Sequence, residues 1–321
     1  MILKNIARRT LLAATALIAI SGPAFAQLEL KIMAPAAPGG GWDGTARSMQ
    51  QALTAAGIAK SAQVTNVAGA GGSIGLAQFV NSAKGDGNQL MVNGFVMVGS
   101  LLANKSPVSL EMVTPIARLT AEALVIVVPT ASPIKDAKDL AAAVKADVSK
   151  VTFAGGSAGG VDHILAGLFA GAVGADASKV NYVPFSGGGE ALAAIMGGRV
   201  TAGISGWGEF EGQIKSGTLR AIAVTSSAKL AGNPTATLKE QGIDLEVINW
   251  RSVMAAPDIT ADQRKVLSEA IDKMVKSAQW QEILKQRGWD DAYLPSPGFD
   301  AFLKSEQTRV AAVLKSVGLL K

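Results

Sequence analysis

Hydrophobic and polar residues follow one another in a repeating order along this chain: an apolar strand pattern, a glycine run, then a helical repeat. Residues 28–33 alternate apolar and polar side chains, whereas Ala46, Met49 and Leu53 recur at helical spacing. Between them lie three consecutive glycines at positions 39–41. The pattern predicts a strand-to-helix turn, where backbone N–H groups at the helix start can bind an anion.

The same order returns after the segments 63–67, 151–154 and 180–185, each of which is followed by glycines and a helical repeat. Two halves that each carry a pair of glycine-rich turns predict an α/β fold of two domains whose carboxyl-end loops face one cleft. Further strands are predicted over residues 89–95, 116–119, 124–128, 201–205, 219–224 and 250–256, and a further helix over residues 135–145.

The apolar segments 124–128 and 250–256 are interpreted as the strands that cross between the two domains. Domain 1 is then discontinuous and comprises residues 27–126 and 249–321, and domain 2 comprises residues 127–248. From Thr260 onward the periodicity predicts helices that pack back on domain 1.

Residues 1–26 have the pattern of a cleaved signal peptide. Lys4, Arg8 and Arg9 precede an apolar stretch over residues 11–20, and small residues at 24–26 form a cleavage site. The apolar stretch is too short to span a bilayer as a stable helix. The sequence therefore predicts export to a periplasm, by the general or the twin-arginine route.

Composition excludes several function classes. The chain has no cysteine and one histidine, so neither a disulfide framework nor a His/Cys metal site is expected, and no cofactor motif is complete. The formal charge is +5, of which the leader accounts for +3. A nearly neutral mature chain without a basic run is a poor nucleic-acid binder.

The first glycine run also matches the dinucleotide fingerprint through Gly39, Gly41 and Gly44. That fingerprint needs an acidic residue about 20 positions later, where this chain has Val64 to Asn66, and the lysine of a phosphate-binding loop is absent too. An anion site made of backbone N–H groups is the simpler interpretation, and a turn that only connects two elements is the alternative.

Gly155, Ser157 and Gly159 fit the nucleophile-elbow pattern of hydrolases. The only histidine, His163, lies on the helix that this turn begins, so it would have to fold back to act as the base for Ser157. We therefore expect Ser157 to donate a hydrogen bond or cap a helix, and a secreted serine esterase is the runner-up interpretation.

Two tryptophans and one arginine are further candidates for the cleft. Trp42 and Trp207 each stand beside a glycine-rich turn and could close over a ligand or simply pack. Asp43 and Arg47 are four residues apart, as in a structural brace. Arg251 could reach a bound anion, or form a hinge salt bridge with an acid of the C-terminal helices.

Four motifs in this order resemble the Bug family, the receptors of tripartite tricarboxylate transporters. They are APAAPGGGWDGTAR at residues 34–47, NVAGAGG at 66–72, GGSAGGVDH at 155–163 and YVPFSGGGEAL at 182–192. The resemblance covers essentially the whole mature chain, and the Gly-Gly-Gly-Trp-Asp form is more similar to the tricarboxylate branch than to the amino-acid-binding members.

The resemblance implies a two-domain Venus-flytrap fold of the type II periplasmic-binding-protein class, without catalysis or cofactor. It also implies a carboxylate ligand, with citrate or a similar tricarboxylate expected first and a dicarboxylate or aromatic carboxylate second, and a two-component membrane permease as partner. The residues expected to bind the ligand are Gly40, Gly41, Trp42, Asn93, Gly94, Ser157, Ala158, Ser186, Gly187, Ser205 and Trp207.

Overall fold

A computed structural model describes residues 28–186 and 188–320 of the chain. The predicted signal peptide, residues 1–26, and the predicted ligand-binding residue Gly187 lie outside the described residues. Strands and helices alternate over most of the described chain, as the glycine-punctuated pattern predicts.

The strands are β1 (Leu28–Ala34), β2 (Ala59–Asn66), β3 (Gln89–Gly94), β4 (Thr114–Pro129), β5 (Thr152–Gly155), β6 (Asn181–Pro184), β7 (Ala202–Gly206), β8 (Leu219–Val224), β9 (Ile248–Ala255) and β10 (Asp290–Pro295). The helices are α1 (Gly41–Ala55), α2 (Ser73–Ser82), α3 (Phe95–Ala103), α4 (Ala137–Ala146), α5 (Val161–Ala172), α6 (Gly188–Met196), α7 (Trp207–Lys215), α8 (Ala261–Lys276), α9 (Ala278–Arg287) and α10 (Gly298–Ser316).

The strands form a mixed sheet in the order β2-β1-β3-β9-β4-β7-β5-β6, with β8 and β10 each paired to β4. β1 is parallel to β2 and β3, and β5 is parallel to β6 and β7, while β4 and β9 run antiparallel to their neighbours. We call the part built on β1–β3, β9 and β10 the first lobe, and the part built on β5–β8 the second lobe.

β4 joins the two lobes. Residues Thr114 to Ala123 pair with β9 in the first lobe, and Leu124 to Val127 pair with β7 in the second. The second crossing lies just before β9, where the Val247 N–H donates to the Thr225 carbonyl at 3.2 Å. The chain therefore passes between the two lobes at two neighbouring positions.

Two predicted strands, 116–119 and 124–128, are one continuous strand in the structure. Residues 120–123 stay paired with β9, so the chain does not turn between them. The sequence predicted a break at this point because Thr120 and Glu122 are polar, but both side chains are buried.

Three elements were not predicted. α3 is almost wholly apolar and therefore lacks the amphipathic period that marks a helix, and α7 begins directly after β7 with no intervening loop. The prediction that the chain is helical throughout from Thr260 is wrong for Asp290–Pro295, which forms β10 on β4. β10 is short and carries mostly half-exposed or exposed residues, so it has no buried apolar stripe to signal it.

The C-terminal helices pack against the first lobe, where α8 and α10 contact β4, α9 contacts α1, and α10 contacts α3. The main core runs through both lobes, from Ile32 and Leu90 to Phe153 and Ile204. A smaller apolar cluster under α7 contains Val125 and Phe210. Burial of the β4 stretch 124–128 agrees with its uninterrupted apolar sequence.

Candidate ligand-binding site

A cavity of about 70 Å³ lies where the carboxyl ends of parallel strands from the two lobes face each other. Turns after β1 and β2, together with β9, supply its first-lobe wall, and turns after β5, β6 and β7 supply its second-lobe wall. Open α/β sheets bind their ligands at this edge. The polar side chains on the wall are those of Ser157, Asp162, Ser186, Ser205, Glu209, Asn249 and Arg251.

Several residues predicted from sequence are brought together on this wall, although they come from three separate turns and from strand β7. Ligand contact by these residues stays a prediction. They are Gly40, Gly41, Trp42, Ser157, Ser186 and Ser205.

Asn93 and Gly94 lie at the end of β3, outside the set of residues that line the cavity. The Asn93 carboxamide oxygen accepts a hydrogen bond from the Ser252 hydroxyl at 2.5 Å, and a Cβ on Gly94 would meet the Trp250 carbonyl oxygen at 2.3 Å. Both residues therefore hold β3 against β9, Asn93 through a hydrogen bond and Gly94 through close backbone packing.

Ala158 and Trp207 are also absent from the cavity wall. The Ala158 carbonyl accepts a hydrogen bond from the Ser100 hydroxyl at 3.0 Å, which ties α3 to the turn after β5. Trp207 begins α7 and packs against the second-lobe cluster, so it is part of a helix rather than a loop over the cleft.

Two helices begin at glycines on the cavity wall. Gly40 precedes α1 and Gly206 precedes α7, and neither helix start is capped by a side chain. The first N–H groups of a helix have no partner within it, and the helix dipole favours an anion at that end. These two starts therefore offer donors from opposite lobes.

The absence of a side chain at Gly41 makes room for an ion pair. A Cβ there would lie 2.2 Å from Arg251 Nη2 and 2.7 Å from Glu209 Oε1. In the same way, a Cβ on Gly206 would lie 2.3 Å from a carboxylate oxygen of Glu122. The glycines at these helix starts thus let buried charged side chains approach the backbone.

Arg251 is the centre of this ionic cluster, and its side chain is only 4% exposed. Its Nη2 contacts the Glu122 carboxylate and lies 3.5 Å from Glu209 Oε1. Glu122 also accepts hydrogen bonds from Trp289 Nε1 at 3.0 Å and from Asn249 Nδ2 at 3.3 Å. Arg251 therefore pairs with acids of β4 and α7, and not with an acid of the C-terminal helices.

One donor of this cluster is unused. Within residues 28–186 and 188–320, the Nη1 of Arg251 is buried without a hydrogen-bond partner. A buried, unsatisfied guanidinium nitrogen is costly, so a ligand carboxylate that pairs with it gains a strong, charge-assisted hydrogen bond.

Two further carboxyls, those of Asp162 and Glu209, line the cavity, and both have a raised pKa. Burial raises the pKa of Asp162 to about 7, the Glu209 and Glu122 carboxylates add to this rise, and the Gly156 N–H, 2.7 Å from Asp162 Oδ2, opposes it. Burial also raises the pKa of Glu209 to about 7, against the opposing effect of Arg251. Both side chains can therefore exchange protons near neutral pH.

The Asp162 pKa predicts a pH-dependent effect on stability. Because the folded-state pKa of about 7 lies above the ordinary value of 3.8, this carboxyl favours folding below pH 4, and that contribution is lost as the pH rises towards 7. Asp162→Asn has no carboxyl that titrates at this position, so its stability does not fall in this way. From pH 5 to pH 8, we therefore expect the free energy of unfolding of the variant to rise by about 1 to 3 kcal/mol relative to that of wild type. Urea titrations at both pH values measure this gain, and an equal difference at the two would contradict it.

The geometry gives no support to Ser157 as a nucleophile. The His163 Nδ1 accepts a hydrogen bond from the Gly159 N–H at 3.2 Å, and its ring is stacked on Tyr182 with centroids 4.2 Å apart. Burial lowers the pKa of His163 to about 4. This histidine packs beneath the turn rather than serving as a base for Ser157.

Sequence reasoning missed the three acids Glu122, Asp162 and Glu209. Each had a signal: Glu122 is the one acid between two apolar strand segments, and the others fall in the first turn of a helix after a glycine run. An acid in a stretch whose neighbours are buried is a candidate for pairing or function.

Two kinds of feature are absent from residues 28–186 and 188–320. No helix there has the length and apolar character to cross a bilayer. Nor do three or more His, Asp or Glu side chains of those ranges come together in a way that could hold a metal ion.

Comparison with known proteins bears on this site. The family profile described as "Tripartite tricarboxylate transporter family receptor" matches residues 45–319. Protein BugT of Bordetella pertussis is 29% identical over 305 residues, covering 93% of this chain and 92% of BugT.

Two solved structures share the fold. The periplasmic binding protein BugD superposes with a TM-score of 0.80 at 24% identity, over 91% of this chain and 98% of BugD. MatC from Rhodopseudomonas palustris, solved with bound malate, gives 0.79 at 22% identity, over 90% of this chain and all of MatC. The two-lobed periplasmic-binding-protein fold is thereby confirmed.

Proposed function

Because the chain belongs to the family of tripartite tricarboxylate transporter receptors, we propose that it binds a small carboxylate in the cavity between its lobes and delivers it to the membrane permease of such a transporter. The observation that carries the proposal is the unpaired Arg251 Nη1, on a wall that also holds the uncapped starts of α1 and α7. Residues of both lobes that carry hydrogen-bond donors line this one cavity.

The hydrogen-bond donors of this wall are sufficient for micromolar binding of a carboxylate. Micromolar binding corresponds to about 8 kcal/mol, and a hydrogen bond to a charged group contributes about 1.5 to 3 kcal/mol. Arg251 together with a few backbone N–H groups can therefore reach that affinity after the ordering costs of association.

Among family ligands, the wall charges favour a small carboxylate over the tricarboxylate expected from sequence. The guanidinium of Arg251 is already paired with Glu122, and the cavity wall carries two further carboxyls, those of Asp162 and Glu209, which are ionised above about pH 7. An additional carboxylate about 4 Å from a buried acid is repelled by roughly 4 kcal/mol at an effective dielectric constant of 20. A mono- or dicarboxylate escapes most of this repulsion, and MatC is a relative in fold that was solved with the dicarboxylate malate.

We propose that the lobes comprise residues 27–126 with 249–321 and residues 127–248, and that they close over the ligand. Two contacts across the cleft support closure: the Ala37 N–H donates to the Ser186 carbonyl at 3.4 Å, and Arg251 of the first lobe pairs with Glu209 of the second. Hinge closure around a ligand is the usual motion of such receptors.

We also propose that residues 1–26 direct export and are removed, so that the receptor works in the periplasm. The basic, apolar and small-residue segments of that leader support the assignment.

Titration calorimetry of the exported protein with succinate, malate, citrate and acetate tests the proposal. We expect micromolar binding of at least one dicarboxylate and at least tenfold weaker binding of citrate. Absence of heat with every carboxylate would refute a carboxylate receptor. Citrate as the tightest ligand would refute the charge argument and restore the tricarboxylate expectation.

A further inference from the structure

The acidic side chains of the ionic cluster, Glu122, Asp162 and Glu209, differ in how many hydrogen bonds and ion pairs they already accept. Glu122 receives the Arg251 guanidinium, the Trp289 indole N–H and the Asn249 amide. Asp162 receives a hydrogen bond from the Gly156 N–H, and Glu209 has the longer Arg251 contact of 3.5 Å and a hydrogen bond from the Ser205 side chain. Glu122 is thus a structural partner of Arg251, whereas the other two retain accepting capacity.

These two acids both face the place a ligand would take. Asp162 and Glu209 line the cavity, whereas Glu122, which pairs with Arg251, does not. A carboxyl group can accept about four hydrogen bonds, so each of the two can receive one more from the cavity side.

Both acids belong to the second lobe, and their neighbours belong to both. Asp162 lies in the first turn of α5, and Glu209 lies in the first turn of α7. The charged and polar groups that act on Glu209 are Arg251, Glu122, Ser205 and Arg287, and those that act on Asp162 are the Gly156 N–H, Glu209, Glu122 and Arg251. Closure therefore brings these acids against the lobe that supplies the cation.

We infer that Asp162 and Glu209 determine specificity: they accept a hydrogen bond from a donor on the ligand, either a hydroxyl or an ammonium group, while Arg251 Nη1 holds the ligand's carboxylate. The inference rests on the proposed function and narrows its ligand class. A carboxylate without such a donor, or with additional ionised carboxylates near these acids, is disfavoured.

The affinity for a ligand without a hydroxyl or ammonium donor should depend on pH in one direction. The pKa of both acids lies at about 7, so below that pH they are protonated and cease to repel an ionised ligand carboxylate. Binding of succinate, which lacks a donor other than its own carboxyls, should therefore strengthen from pH 8 to pH 6. In Glu209→Gln this strengthening should be smaller.

Calorimetry with three matched four-carbon acids at pH 8 tests the inference: succinate has no donor, malate a hydroxyl and aspartate an ammonium. In the wild-type protein we expect malate or aspartate to bind at least tenfold more tightly than succinate, and the better of the two identifies the donor. In Glu209→Gln and in Asp162→Asn the ratio should fall to about threefold or less, mainly because succinate binds more tightly.

Glu211→Gln is the matched control, because Glu211 lies on the same helix but pairs with Lys215 at 2.9 Å. This control should keep the wild-type ratio. A folded Glu209→Gln and a folded Asp162→Asn that both keep the ratio would overturn the inference while leaving the carboxylate receptor intact. Wild-type protein that binds no carboxylate would instead refute the proposed function itself.

Discussion

Arg251→Met is expected to lower the free energy of unfolding by about 3 to 5 kcal/mol and to abolish carboxylate binding. The Arg251 and Glu122 side chains are 4% and 2% exposed, so removal of the guanidinium leaves a carboxylate buried without its cation. Methionine fills similar space without charge. Urea unfolding at pH 8 measures the loss of stability, and calorimetry measures the loss of binding.

The double variant Arg251→Met/Glu122→Gln separates charge from packing. Replacing both members of a buried pair is often close to neutral, so we expect it to recover at least half of the stability lost in Arg251→Met. Binding should stay absent, because Nη1 is missing from both variants. Equal stability of the single and double variants would show that Glu122 is not the group left uncompensated.

Gly41→Ala is expected to weaken ligand binding at least 100-fold. The new Cβ would lie 2.2 Å from Arg251 Nη2 and 2.9 Å from its Cζ, so the guanidinium must move. It has little room to do so, because it is buried and held by Glu122. Calorimetry with the best wild-type carboxylate measures the effect.

Gly212→Ala is a suitable control for this substitution. A Cβ on Gly212 meets nothing within 4 Å, and the residue lies inside α7, where alanine is favoured over glycine by up to about 1 kcal/mol. We expect it to leave binding unchanged and to raise stability slightly. If Gly41→Ala binds as well as Gly212→Ala, then Arg251 does not depend on the glycine.

The glycine-punctuated pattern predicted the fold class because each signal was local. β8 was predicted with the bounds that the structure has, because it lies between Thr218 and Thr225, and β1 was predicted within one residue, because Pro35 follows it. α3 and β10 escaped prediction since neither has a one-sided apolar stripe: α3 is apolar nearly all round, and β10 is largely exposed.

The candidate site was predictable only in part. Gly40, Gly41, Trp42, Ser157 and Ser186 were expected near one another because glycine-rich turns after parallel strands gather at one sheet edge, and they do line one cavity, while their contact with a ligand stays a prediction. Trp207 was placed in a turn, although it is the first residue of α7. A tryptophan beside glycines carries no local signal that separates a wall residue from a packing residue.

The sequence by itself determined the alternation of strands and helices and the two halves with glycine-rich turns at their helix starts, since these depend on side-chain periodicity and on residues next to one another. The tertiary structure decided the charge of the cavity. Glu122, Asp162, Glu209 and Arg251 are far apart in the chain, and only the crossing of β4 and β9 with the approach of α5 and α7 brings them together. Their burial, which sets both pairing and pKa, is a property of that assembly and not of any single segment.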